Sequence, residues 1–69
     1  MEYAVVIEKT GNGYAAYVPD LPGCVAAADT SEETRALIAS AIRAHLELMR
    51  EYGDPIPQPT ASAHQVEVG

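Results

Sequence analysis

Two prolines and a glycine stand within five residues, Pro19-Asp20-Leu21-Pro22-Gly23. Each proline fixes one φ angle, and the glycine frees a third position for a tight turn. The connection is therefore stiff. YAAYV, residues 14–18, precedes it and CVAAA, residues 24–28, follows it, and both read as strands. Pro19 ends the pairing of the first, because it has no N–H to donate. The small side chains of the second let another element pack close to the sheet. Asp29 ends that strand. Thr30, with Glu33 three positions on, then matches a capping box, and Glu32 and Glu33 put acid into the first helical turn. Thr30 or Ser31 is the cap. A strand, a rigid reversal, a strand and a helix start thus follow one another without slack.

The rest of the chain fits around this core. In EYAVVIEK, residues 2–9, Tyr3, Val5 and Ile7 face one way and Ala4, Val6 and Glu8 the other. Both faces are largely apolar, which predicts a central strand. Asn12-Gly13 predicts a hairpin turn with positive φ at both central residues. The helix spans about residues 31–52. Ile38, Ile42, His45, Met49 and Tyr52 form its apolar stripe, widened by Leu37, Ala41 and Leu48. Gly53 and Pro55 stop it. PIPQPT, residues 55–60, follows an extended path, and HQVEV, residues 64–68, alternates as a short last strand.

The expected fold is α+β, in the order β-β-β-α-β, as one domain over residues 1–69 with strands near 2–9, 13–18, 24–28 and 64–68. A right-handed crossover places the last strand beside the first, giving one mixed sheet of order 3-2-1-4 with one long helix on one face. That helix, about 30 Å long, outruns strands of about 20 Å. Leu48, Met49 and Tyr52 therefore overhang, and Val6 lies on the uncovered sheet face. These four are the candidate oligomer-interface residues, and a homodimer or higher even assembly is expected.

Composition narrows the chemistry. Hydrophobic residues make up 48% of 69 residues, too many for a disordered chain. With no Phe or Trp, the core is small, and self-association would support it. Ten Asp and Glu against four Lys and Arg give a net charge of −6. That argues against binding a nucleic-acid backbone and for binding a basic partner. A single cysteine, Cys24, rules out an internal disulfide and reads as a small buried hydrophobe. No signal peptide or membrane span is visible, so a soluble cytoplasmic protein is expected. A two-metal nuclease would need clustered carboxylates. The first strand offers only Glu8, while Asp20 and Asp29 suit turn and cap positions. His45 sits in the apolar stripe, and His64 has no companion at ligand spacing. No catalytic residue, metal or cofactor is expected.

The run YAAYVPDLPGCVAAADTSEE, the helix after it and GDPIPQP resemble the HicB antitoxin family over about residues 3–60. The order is a hairpin, P-D-L-P-G-C, a strand, then D-T-x-E-E at the helix start. Thr34 stands where the family pattern usually has Ala. The resemblance implies a partial RNase H-like fold, consistent with the counted topology. It also implies a partner, a basic HicA-like RNase toxin, neutralised by occlusion and charge complementarity. Many members carry a further DNA-binding domain. No residues remain here for one, so operator binding is not expected of this chain. The toxin-contact candidates are Asp20 and Leu21 in the stiff loop and Asp29, Glu32 and Glu33 at the helix start; the competing reading makes them turn and cap residues. The alternatives are an orphan HicB-like interaction domain and a degenerate RNase H-like enzyme. A neighbouring reading frame for a basic protein separates the first alternative from the toxin pair, and a metal-dependent nuclease assay reveals the second.

Overall fold

The computed structural model describes residues 1–69. Three strands, β1 (Val6–Lys9), β2 (Tyr14–Tyr17) and β3 (Val25–Ala28), form an antiparallel sheet of order β1-β2-β3, followed by one helix, α1 (Ser31–Glu51). The α+β class, the three strands and the long helix agree with the sequence reading. The fourth strand does not form. Residues 54–69 carry no regular structure, and Val66 and Val68 are 77% and 93% exposed. The sheet is therefore purely antiparallel, and β1 is an edge strand instead of a central one. Alternation in HQVEV shows which residues would share a face; it does not supply the neighbouring strand.

Cross-strand register assigns the two faces. Ile7, Ala16 and Ala26 are aligned and pack toward α1. Val6, Tyr17 and Val25 are aligned on the opposite, open face. The core is Ala16, Val18, Leu21, Cys24 and Ile38, with Tyr3, Val5, Ile7, Ala41, Ile42 and Leu46 packed around it. Tyr3, Val5 and Ile7 thus lie on one face, as their spacing predicts. The buried helical stripe runs through Thr34, Ile38, Ile42 and Leu46, while Leu37 and Leu48 lie exposed beside it. Thr34 is fully buried, and its hydroxyl is satisfied by donating to the Thr30 carbonyl at 2.8 Å. A hydroxyl can therefore sit in the core here without an unsatisfied polar atom.

Both helix ends are built by local chemistry. The Thr30 Oγ1 accepts from the Glu33 N–H at 3.1 Å and donates to the Glu33 carboxylate at 2.9 Å. This satisfies one of the free N–H groups of the first turn. At the other end Gly53 takes φ 73°. The Asp54 N–H then reaches the Met49 carbonyl at 2.8 Å and the Gly53 N–H reaches the Arg50 carbonyl at 3.2 Å, closing a Schellman motif.

The first hairpin corrects an expectation. Thr10 and Gly13 close the turn, with the Thr10 N–H donating to the Gly13 carbonyl at 2.8 Å. Asn12 does not have positive φ, and neither does Gly13. Gly13 is needed for a different reason: a Cβ there would lie 2.4 Å from the Ala28 carbonyl oxygen. The glycine lets the hairpin press against the end of β3.

Candidate functional site

The stiff loop consists of two consecutive β-turns. The Leu21 N–H donates to the Val18 carbonyl at 3.0 Å, and the Cys24 N–H donates to the Leu21 carbonyl at 3.0 Å. Pro19 and Pro22 occupy the second position of each turn, where fixed φ is favourable. Gly23, at φ 85°, fills the third position of the second turn, the place where positive φ is required. The Val18 N–H to Cys24 carbonyl bond at 3.2 Å closes the loop.

This geometry turns Leu21 inward. Its side chain is 0% exposed. A partner docking on this surface therefore cannot touch it, and the expectation that Leu21 makes a toxin contact is corrected. It plugs the core where the two turns meet. Cys24 is buried beside it, and burial raises its thiol pKa above the usual value, as befits an inert apolar group.

Asp20 is engaged by the chain itself. Its Oδ1 accepts from the Thr60 hydroxyl at 2.6 Å, and its Oδ2 accepts from the N–H groups of Thr60 and Ala61 at 3.0 Å each. These bonds, the Thr60 hydroxyl first, hold the Asp20 carboxyl pKa below the ordinary value. The Tyr3 hydroxyl also donates to the Pro57 carbonyl. Together these contacts fasten the proline-rich segment to Tyr3, ahead of β1, and to the β2–β3 loop. No short-range sequence signal marks a bond between residues forty positions apart.

The five contact candidates do not form one surface. Asp20 and Leu21 precede β3, whereas Asp29, Glu32 and Glu33 follow it. The four residues of β3 separate the groups by about 13 Å. Asp29, Glu32 and Glu33 are exposed at the helix start. Asp29 also lines a shallow hollow of about 300 Å³ with Thr10, Asn12, Gly13 and Tyr14 of the hairpin end. Asp29, just before α1, and the hairpin tip therefore border one hollow, with Glu32 and Glu33 outside its lining. Among the oligomer candidates, Tyr52 and Leu48 are exposed and Val6 and Met49 half-buried.

No group of three or more His, Cys, Asp and Glu side chains is arranged to hold a metal ion. Glu8 is exposed at the end of β1, His45 is half-buried on α1, and His64 shares a hydrogen bond with the Ser62 hydroxyl at 2.8 Å. No helix is long and apolar enough to cross a membrane.

The molecule is thus a small antiparallel sheet covered on one face by a single helix, with Asp29, Glu32 and Glu33 exposed where that helix starts. The family model for the HicB-like antitoxin of bacterial toxin–antitoxin systems matches residues 3–68, so the chain belongs to that family. An uncharacterized 14.9 kDa protein of Haemophilus phage HP1 is 41% identical over 58 residues, covering 84% of this chain and 44% of its own length. This chain therefore spans less than half of that relative. A UPF0150 protein of Thermoplasma acidophilum is 39% identical, covering 88% of this chain and 90% of its own. A UPF0150 protein of Archaeoglobus fulgidus is 38% identical, with coverages of 78% and 80%. Among solved structures, a chain of a HicA3 and HicB3 toxin–antitoxin complex superposes with a TM-score of 0.73 at 32% identity, covering 87% of this chain and 70% of that one.

Proposed function

We propose that this chain is the antitoxin of a HicA/HicB pair, which binds a basic RNase toxin and silences it by occlusion, catalysing nothing itself. The observation that carries this reading is the likeness, across most of the chain, to a protein solved within a HicA–HicB complex. The net charge of −6 supports it, because a toxin that binds RNA must present a positive surface. The same charge opposes direct nucleic-acid binding by this chain. The working compartment is the cytoplasm, where the toxin's RNA substrate is found.

Contact falls to Asp29, Glu32 and Glu33, the acids that remain exposed on one end of the molecule. Asp20, whose carboxylate is engaged by Thr60 and Ala61, holds the loop against the tail and is left out of this contact set. Glu33 has a second duty in the helix cap, so Asp29 and Glu32 are the cleaner probes. The antitoxin works as a homodimer or higher even assembly; its exposed apolar residues, Leu48 and Tyr52 with Met49 and Val6, supply surface for self-association.

The test is binding kinetics against the HicA-type toxin at several salt concentrations. Charge steering raises association rates by about 10–1,000-fold and weakens as salt screens it. Replacing Asp29 and Glu32 together by Lys should slow association several-fold and change dissociation little. Association that ignores both salt and these substitutions would defeat the assignment of the surface.

A further inference from the structure

Between β1 and α1 lies a groove of about 310 Å³ lined by Val5, Ile7, Ile38, Ala39, Ile42 and Arg35. β1 pairs only with β2, so the groove runs along an edge strand. Its charge is confined to one end. β3 finishes at Ala28, which is aligned through Tyr14 with Lys9, and α1 starts at Ser31. The helix therefore begins at the Lys9 end of the sheet, and Arg35 lies near that end. Ile42 follows about 10 Å further along, at about 1.5 Å per residue, toward Val5. Strand alternation sets Lys9 in the same row as Val5 and Ile7, just beyond the lining. The groove is thus apolar along its length and cationic at one mouth. Lys9 and Arg35 are two of the four Lys and Arg in a chain of net charge −6. Neither takes part in the side-chain hydrogen bonds of the protein. The neighbouring acids stand apart from the lining: Glu8 faces the other side of the sheet, Glu33 is bonded to Thr30, and Glu32 lies outside the groove.

We propose that this groove binds a small aliphatic carboxylate, with its alkyl chain along Val5, Ile7, Ala39 and Ile42 and its head group at Arg35. Ligand clefts begin at about 300 Å³ and combine an apolar lining with a few polar groups that fix orientation, which is the make-up seen here. The apolar length selects an alkyl body over a compact anion, which would leave most of the groove unfilled. The cationic mouth selects the acid over the amine. A guanidinium donates two parallel hydrogen bonds to a carboxylate, and Lys9 adds a second positive charge nearby. The chain's own tail does not supply the anion: with Val66 and Val68 facing the groove, alternation turns Glu67 away from Arg35. The site is separate from the hollow at Asp29 and does not depend on the toxin reading.

The test is titration of the full chain with sodium octanoate, a chain of about the groove's length, followed by the methyl resonances of Val5, Ile7 and Ile42. Saturable shifts at millimolar concentration are expected. Hexanoate should bind about tenfold more weakly, because each buried methylene contributes a factor of about four. Octylamine should bind at least about fivefold more weakly than octanoate, and Arg35→Gln should weaken octanoate by a similar factor while leaving octanol unchanged. A merely structural role for Arg35 would not split the two ligands. Ala39→Leu, which fills the groove with a strong helix former, should abolish binding and keep the helix signal by circular dichroism. Four results would each overturn the proposal: no saturable shifts, equal affinity for octanoate and octylamine, an affinity indifferent to Arg35→Gln, or unchanged binding by Ala39→Leu. Octanoate binding that appears only after Val66 and Val68 are replaced by Ser would also overturn it, by making the chain's own tail the occupant.

Discussion

Replacing Leu21 by Ala separates a contact residue from a core residue. In the structure the Leu21 side chain has no accessible surface and lies with Val18, Cys24 and Ile38. Truncating a leucine so placed costs about 2–5 kcal/mol, from lost transfer energy and the cavity left behind. A domain of 69 residues holds about 3–10 kcal/mol in total, at about 0.05–0.15 kcal/mol per residue. A loss of about 3 kcal/mol is therefore a large share of the whole. With a urea slope of about 1 kcal/mol per molar, the midpoint should fall by about 2–3 M. The thermal midpoint should fall by more than about 10 °C. The assay is urea unfolding followed by helix ellipticity, with protein concentration held fixed. A midpoint within about 0.3 M of the parent would refute the burial argument and restore Leu21 as a surface residue.

Other perturbations have equally definite outcomes. Gly13→Ala should destabilise by about 1–3 kcal/mol, because its Cβ would meet backbone at Ala28; Gly11→Ala, with nothing within 4 Å and no positive φ, should be neutral or slightly stabilising in the same melts. Asp20 has a depressed folded-state pKa, so its hold on the tail is present above the unfolded value of 3.8 and is lost as pH falls below that through the lower folded value. The amide resonances of Thr60 and Ala61 should accordingly move toward unstructured positions only in that acid range, and Asp20→Asn should move them at neutral pH. Replacing Thr30 by Ala removes both cap bonds to Glu33 and should cost about 1 kcal/mol in thermal unfolding.

Local chemistry was legible in the sequence and tertiary pairing was not. The helix start at Thr30 and its stop at Gly53 are written in caps that need only neighbours within a few residues. The turn residues Pro19, Pro22 and Gly23 mark a rigid reversal for the same reason. The burial of Leu21 is not legible in the same way, because turn composition says nothing about which side chain the reversal tucks inward. The Asn12-Gly13 pair suggested backbone freedom, whereas the fold uses Gly13 for clearance from β3, a distant neighbour in sequence. Alternation in HQVEV marks which residues can share a face, yet a strand exists only with a partner edge, and residues 64–68 have none. Thr34 is hidden from such a reading by its polarity, and Leu46, which packs against the core, by lying at the margin of the apolar stripe. The acids at the helix start, Asp29, Glu32 and Glu33, are exposed, and the length of β3 separates them from Asp20.

The central claim is that this chain silences a basic RNase by covering it. The most direct measurement is RNA cleavage by the HicA-type toxin during titration with this protein, with complex formation followed in the same samples. The account predicts that cleavage falls in step with complex formation and is abolished when all the toxin is bound. It predicts weaker protection at a given protein concentration for the Asp29→Lys, Glu32→Lys variant. A toxin that is fully bound and still cuts RNA, or one that never binds, would contradict it.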